Sequence, residues 1–125
     1  MNPEIKQRGV EEIRSQIPRY TGSLRAGINS YSIDGILVDI FLQEKGRQWD
    51  SINRTHAMPQ EVIEWAGLSS HDPQLPSYAT KGILLQGYTI PTLCLLSTCK
   101  MRDPRYPDPV PVSAGVIADL IEADL

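Results

Sequence analysis

A chain of 125 residues, 41% of them hydrophobic, is long enough to bury one core and too short for two comfortable ones, so residues 1–125 are expected to form a single compact domain. A formal net charge of -3 and a pI near 5.3 exclude a protein that holds nucleic acid by bulk electrostatics, which needs a concentrated basic surface. Cys94 and Cys99 are the only cysteines and stand outside any metal-type or redox-type spacing. No disulfide framework, metal site or other cofactor is therefore expected, and a reducing cytoplasm fits best. The stretch from Met1 to Arg8 is charged and lacks the apolar run of a secretory signal, and no window reaches the length of a membrane span.

Ile5, Val10, Ile13 and Ile17 recur at close to helical spacing among charged neighbours and Pro18 stops the run, which predicts an amphipathic helix over 3–17. From Tyr20 to Tyr31, two glycines and several hydroxyls predict turns with a short extended piece. A second helix is predicted from Asp34, read as its cap, to Gly46, with Ile36, Leu37, Ile40 and Phe41 on one face. The β-branched residues there keep a strand as the competing reading. Residues 47–57 are polar and irregular, with Trp49 expected to fold back onto the core.

Pro59, Glu61, Glu64 and Gly67 punctuate a short helix: a proline tolerated at its start, acids in its first turns, a glycine past its last apolar residue. A loop follows from Ser69 to Ser77. Ile83-Leu84-Leu85 and Tyr88-Thr89-Ile90, separated by Gln86-Gly87, predict a small hairpin, and residues 91–101 read equally as helix or extended chain. Prolines 104, 107, 109 and 111 rule out helix or interior strand and predict an ordered excursion or polyproline-like arm at about 102–111. Ser113 is a good cap for a final helix whose apolar face is Val116, Ile117, Leu120, Ile121 and Leu125, with Asp119, Glu122 and Asp124 outside it or at its end. The expected fold is α+β, mainly α: three or four helices with a small β-hairpin or short sheet.

No catalytic constellation emerges. Glu61 and Glu64 lie three apart on one helix, but acids in a first helical turn answer the helix dipole. Asp39 reads as a surface residue or a partner for an arginine. His56 and His71 stand in polar loops without ligand spacing, no serine sits in a nucleophile elbow, and the glycines are too scattered for a phosphate cradle. Trp49 in its polar stretch is a candidate anchor for a protein partner, whereas Trp65 reads as core. Arg102, Arg105 and Tyr106 are the others, because prolines lower the entropy lost on docking and arginine and tyrosine are favoured in contact surfaces. Arg19, Tyr20, Arg25 and Tyr31 are candidates for a nucleotide-like ligand, as arginines and aromatic faces can hold one without a glycine loop.

Several segments resemble a group of small uncharacterised proteins of phages, prophages and bacteria, cyanobacteria among them: Thr21-Gly22-Ser23-Leu24-Arg25, Tyr31 to Ile40, Pro59-Gln60-Glu61-Val62-Ile63-Glu64-Trp65-Ala66-Gly67-Leu68 and Ile117-Ala118-Asp119-Leu120-Ile121-Glu122. The match covers most of the chain and is poor from Pro76 to Pro111. Relatives usually carry cysteines where this chain has Ser32, Ile33 and Val38, so thiol chemistry is not expected here. A polar pattern common before their final helix is replaced by Leu95-Leu96-Ser97-Thr98-Cys99-Lys100. The resemblance brings no activity. It implies phage or mobile-element origin and a host-directed role. Thr21 to Ile28 after a charged helix is also similar to tail-completion and head-tail connector proteins of long-tailed phages.

These readings lead to an expected non-enzymatic phage or prophage accessory protein that binds a host or phage protein, most concretely as an inhibitor of a host process in the host cytoplasm. A virion component, which would self-associate into a homo-oligomer, and a small nucleotide-signal binder are the alternatives.

Overall fold

The structure, a computed structural model of the chain, describes residues 1–15, 25–27, 30–51, 58–70, 72–85, 87, 89–93 and 95–125, with backbone alone at 25–27, 30, 31, 51 and 97. Asn2 opens the first helix, α1 (Pro3–Ser15), its Oδ1 accepting from the backbone N–H of Glu4 at 3.0 Å. Ile5, Val10 and Ile13 form the buried stripe of α1. Ile17, expected to continue it, lies outside the described residues. β1 (Arg25–Gly27) and β2 (Ser30–Tyr31) then pair antiparallel, with Arg25 opposite Tyr31.

The central element is α2 (Ile33–Lys45), a helix and not the competing strand. Ile33, Ile36, Leu37, Val38, Ile40, Phe41 and Leu42 are all buried, so this helix is covered on nearly every side along its first ten residues. One expectation is corrected at its start. Ser32, not Asp34, is the cap: its Oγ accepts from the Gly35 N–H at 3.0 Å, which leaves Asp34 inside the first turn and in the core. Gly46 ends the helix in the left-handed conformation at φ 64°, and Gly67 does the same at φ 71° for α3 (Gln60–Ala66). Pro59 is the residue just before α3. Phe41 of α2 and Trp65 of α3 meet edge to face, centroids 5.3 Å apart, and the half-buried Trp65 donates its indole N–H to Glu44 at 2.7 Å.

The polar half of the chain closes around these helices. Residues Pro76–Lys81 form a 3₁₀ turn and Leu96–Thr98 another. Of the hairpin expected between 83–85 and 88–90, Gln86 and Tyr88 lie outside the described residues; among those described, Ile83 bridges Met101, and Gln74 bridges Thr92. Within the described part of 91–101, bridged Thr92 comes first, the 3₁₀ turn Leu96–Thr98 follows and the chain is extended at Lys100–Met101. That last part, β3 (Lys100–Met101), pairs antiparallel with β4 (Val110–Pro111), so the small sheet flanks the proline-rich arm.

Ser113 caps the final helix, α4 (Ala114–Asp124), accepting from the Val116 N–H at 3.3 Å. Ile117, Ala118, Leu120 and Ile121 are buried, and α4 makes its main contact with α1. The acids on its outer side lace the edges together. Asp119 meets Arg14 at 3.0 Å and Lys81 at 3.3 Å, Glu122 meets Arg14 at 3.2 Å, and Asp124 accepts from both the backbone and the hydroxyl of Ser77. One core therefore serves four helices and two short antiparallel strand pairs among the described residues, an α+β fold that is mainly α.

Candidate partner-binding arm

The arm owes its shape to four consecutive residues. In Asp103-Pro104-Arg105-Tyr106 the Tyr106 N–H donates to the Asp103 carbonyl at 3.0 Å, closing a turn with aspartate in its first position and proline in its second, where each is favoured. The Asp103 carboxylate, only 13% exposed, accepts the Arg105 backbone N–H at 3.0 Å and the Arg105 guanidinium at 2.7–3.1 Å. Hydrogen bonds from Arg105 hold the Asp103 carboxyl below the usual carboxylate range, and Asp103 raises the arginine in return. The charge-assisted fork fixes a loop that has little apolar burial of its own.

Tyr106 stands on this turn with 54% of its surface exposed, the Arg105 guanidinium carbon 5.8 Å from its ring centroid. It lines two clefts. One, of about 300 Å³, runs between Arg102 and Tyr106 and is walled by Pro104, Pro107 and Pro109. The other, of about 350 Å³, is lined by Met101, Val110 and Val116 with Arg105 at its edge, so the arm opens there onto the start of α4. Arg102 and Tyr106 thus share one cleft, and Arg105 and Tyr106 the other. The fourth expected contact residue, Trp49, belongs to a 3₁₀ turn after α2: half-buried against the core, it donates its indole N–H to Asp39 at 2.9 Å. What it offers a partner is ring surface. Asp39 also accepts from Gln43, at 2.7 Å.

Of the four residues singled out for a nucleotide-like ligand, Arg19 and Tyr20 lie outside the described residues, and Arg25 and Tyr31 are cross-strand neighbours on β1 and β2. His56, His71 and Cys94 also lie outside. The acids on α3 have structural partners: Glu61 accepts from Arg47 at 2.9 Å, which lowers its pKa, and Glu64 accepts from Gln60 at 3.4 Å. Cys99 is buried with its thiol 3.3 Å from the Leu95 carbonyl, and burial pushes its pKa up, away from the reactive thiolate.

Asp34 is the group that the sequence placed wrongly and that the structure makes unusual. It is 2% exposed, and its Oδ1 has no hydrogen-bond partner among the described residues. Burial first and the negative charge of Asp72 second push its pKa up to about 7. Two features of the sequence bear on this: Ser32 offers an alternative cap two residues earlier, and the run from Ile33 to Leu42 is apolar on nearly every side, so a polar residue within it goes inward.

Among the described residues no group of three or more histidines, cysteines and carboxylates gathers as metal ligands would, and no helix is long and apolar enough to cross a membrane. No curated protein and no solved structure matches the sequence significantly. One family does, over residues 1–125, and the chain belongs to it: the family described as Domain of unknown function (DUF8296).

Proposed function

We propose that this protein is a non-enzymatic phage or prophage accessory protein that binds a host or phage protein through the arm at 102–109, acting in the host cytoplasm to inhibit the process its partner serves. The observation that carries the binding mode is the placement of Tyr106, one of two large hydrophobic side chains exposed among the described residues, on a turn locked by Asp103 and Arg105. A free aromatic ring on a preorganised loop loses little conformational freedom on docking, and tyrosine and arginine are the residues from which interface hot spots are most often built. The clefts on either side of the ring give a partner surface to fill. The carboxylates that acid-base chemistry would recruit on α3 are engaged with Arg47 and Gln60, which supports a structural role for them. The phage setting is supported by the sequence resemblance.

Replacing Arg102, Arg105 and Tyr106 together by alanine should leave the melting temperature nearly unchanged, because all three are exposed, and should weaken partner capture at least tenfold. Quantitative pull-down with wild type and variant side by side measures this. Undiminished capture by a folded variant would show that the partner docks elsewhere.

A further inference from the structure

Behind the arm lies a surface whose composition follows from strand geometry. Residues 82–84, 100–102 and 109–111 run side by side: Ile83 bridges Met101, Met101 is opposite Val110, and Lys100 is opposite Pro111. Backbone bonds from Leu84 N to Lys100 O at 2.9 Å and from Arg102 N to Gly82 O at 3.0 Å tie the first pair. Side chains alternate across such a layer. Cys99, Ile83 and Val112 point inward and are buried, with Met101 and Val110 half-buried on the same side. Lys100, Arg102, Pro109 and Pro111 take the opposite face and are exposed.

Two cations therefore stand about 7 Å apart on one strand, as alternate residues must. Arg14, Arg47, Lys81 and Arg105 each meet a carboxylate. Lys100 and Arg102 meet none among the described residues, in a chain whose net charge is -3. Tyr106, 54% exposed, lies beyond the arm end of β3 and shares a cleft with Arg102.

The free edge of β4 is closed to strand addition. Val112 donates its N–H across to Cys99 at 3.3 Å, so by alternation the outward-pointing amides belong to positions 109 and 111, and both are proline. A partner is left with the face. Two cations are too few to hold a nucleic-acid backbone, which takes several phosphate contacts at physiological salt. They match an extended peptide with carboxylates at alternate positions, whose own alternation repeats at the same spacing, and with an apolar residue two positions further on, on the same side, to meet Tyr106.

We propose that the partner presents an acidic extended segment that lies across this face with its carboxylates on Lys100 and Arg102 and a neighbouring apolar side chain against Tyr106. The proposal rests on the arm being the docking surface and adds the chemistry of what docks there. As probes we name the synthetic peptide acetyl-Leu-Thr-Glu-Thr-Glu-Thr-Leu-amide, whose leucines and glutamates fall on one side when extended, its double-glutamine analogue and an eight-nucleotide oligothymidine, each titrated into the full ¹⁵N-labelled chain. The acidic peptide should shift amides within 82–85 and 99–112. Its affinity should fall at least fivefold for the glutamine analogue, for the Lys100→Gln/Arg102→Gln variant, and on raising salt from about 50 to 300 mM.

Equal binding of the two peptides, shifts confined to other surfaces, absence of binding, or tighter binding of the oligothymidine would each overturn the acidic-segment assignment. Loss of capture in the Tyr106→Ala variant of the full chain, measured separately, would still support the arm as a docking surface. Failure of the acidic-segment assignment is thus distinguishable from failure of the arm. Melting temperatures of the glutamine variant guard against unfolding, which neither exposed position should cause.

Discussion

Asp34→Asn is expected to remove a steep loss of stability that the wild-type protein suffers as pH rises toward neutrality. In the unfolded chain the carboxyl ionises near 3.8, whereas in the fold its pKa is pushed up to about 7. Between these values the folded state holds a proton that the unfolded state has released. Stability is then full below the lower value and falls by about 1.4 kcal/mol per pH unit as pH rises, reaching a total of about 4 kcal/mol near pH 7 and levelling off above it. Against a typical stability of about 5–15 kcal/mol this is a large fraction.

Two opposing influences act at the site. The N-terminal end of α2 favours an anion in its first turn, worth up to about 2 kcal/mol in buried geometry. Removal from water, the unpartnered Oδ1 and the negative charge of Asp72 work against it and win. Urea unfolding at pH 5, 6, 7 and 8 should give wild-type midpoints that decline relative to those of the asparagine variant and then run parallel. Parallel curves through the whole range would mean that Asp34 is ionised in the fold.

Leu120→Ala is expected to cost about 2–5 kcal/mol, the usual penalty for truncating a fully buried leucine whose surroundings relax only in part. Leu120 is 0% exposed in the middle of α4, the helix whose main contact is with α1. The same helix pair is also bridged by Arg14 to Asp119 and Glu122, yet these side chains are 40–54% exposed. Exposed ion pairs trade one set of favourable contacts for hydration and contribute little, so Arg14→Ala should move the urea midpoint far less. Apolar packing, on this view, joins the first helix to the last. A midpoint shift for Arg14→Ala as large as that for Leu120→Ala would contradict it.

The helices were legible because their punctuation is local. Ser113, Gly46 and Gly67 sit where capping chemistry requires them, and the apolar spacing of α1 and α4 repeats with the helical period. Strand pairing was less legible, since it depends on residues far apart in sequence. Ile83 had an adequate partner nearby in the run 88–90, but it bridges Met101, eighteen positions on, which no local pattern indicates.

Asp34 was misplaced for a related reason. An acid at a helix start is ordinarily a cap or a solvated residue, and its burial here is decided by what α2 packs against. At the arm, Asp-Pro in the first two turn positions pointed to an ordered excursion. The fork between Asp103 and Arg105, the exposure of Tyr106 and the pairing of β3 with β4 became visible only in three dimensions.

The most direct test of the arm as a docking surface is photo-crosslinking from a benzoyl-phenylalanine placed at position 106 in one sample and at the exposed position 11 on α1 in another. A discrete heteromeric adduct is expected from position 106, reduced by excess unmodified protein, and none from position 11. An adduct from position 11 alone, equal adducts from both, or an adduct from position 106 that joins only two copies of this chain would contradict the arm's role.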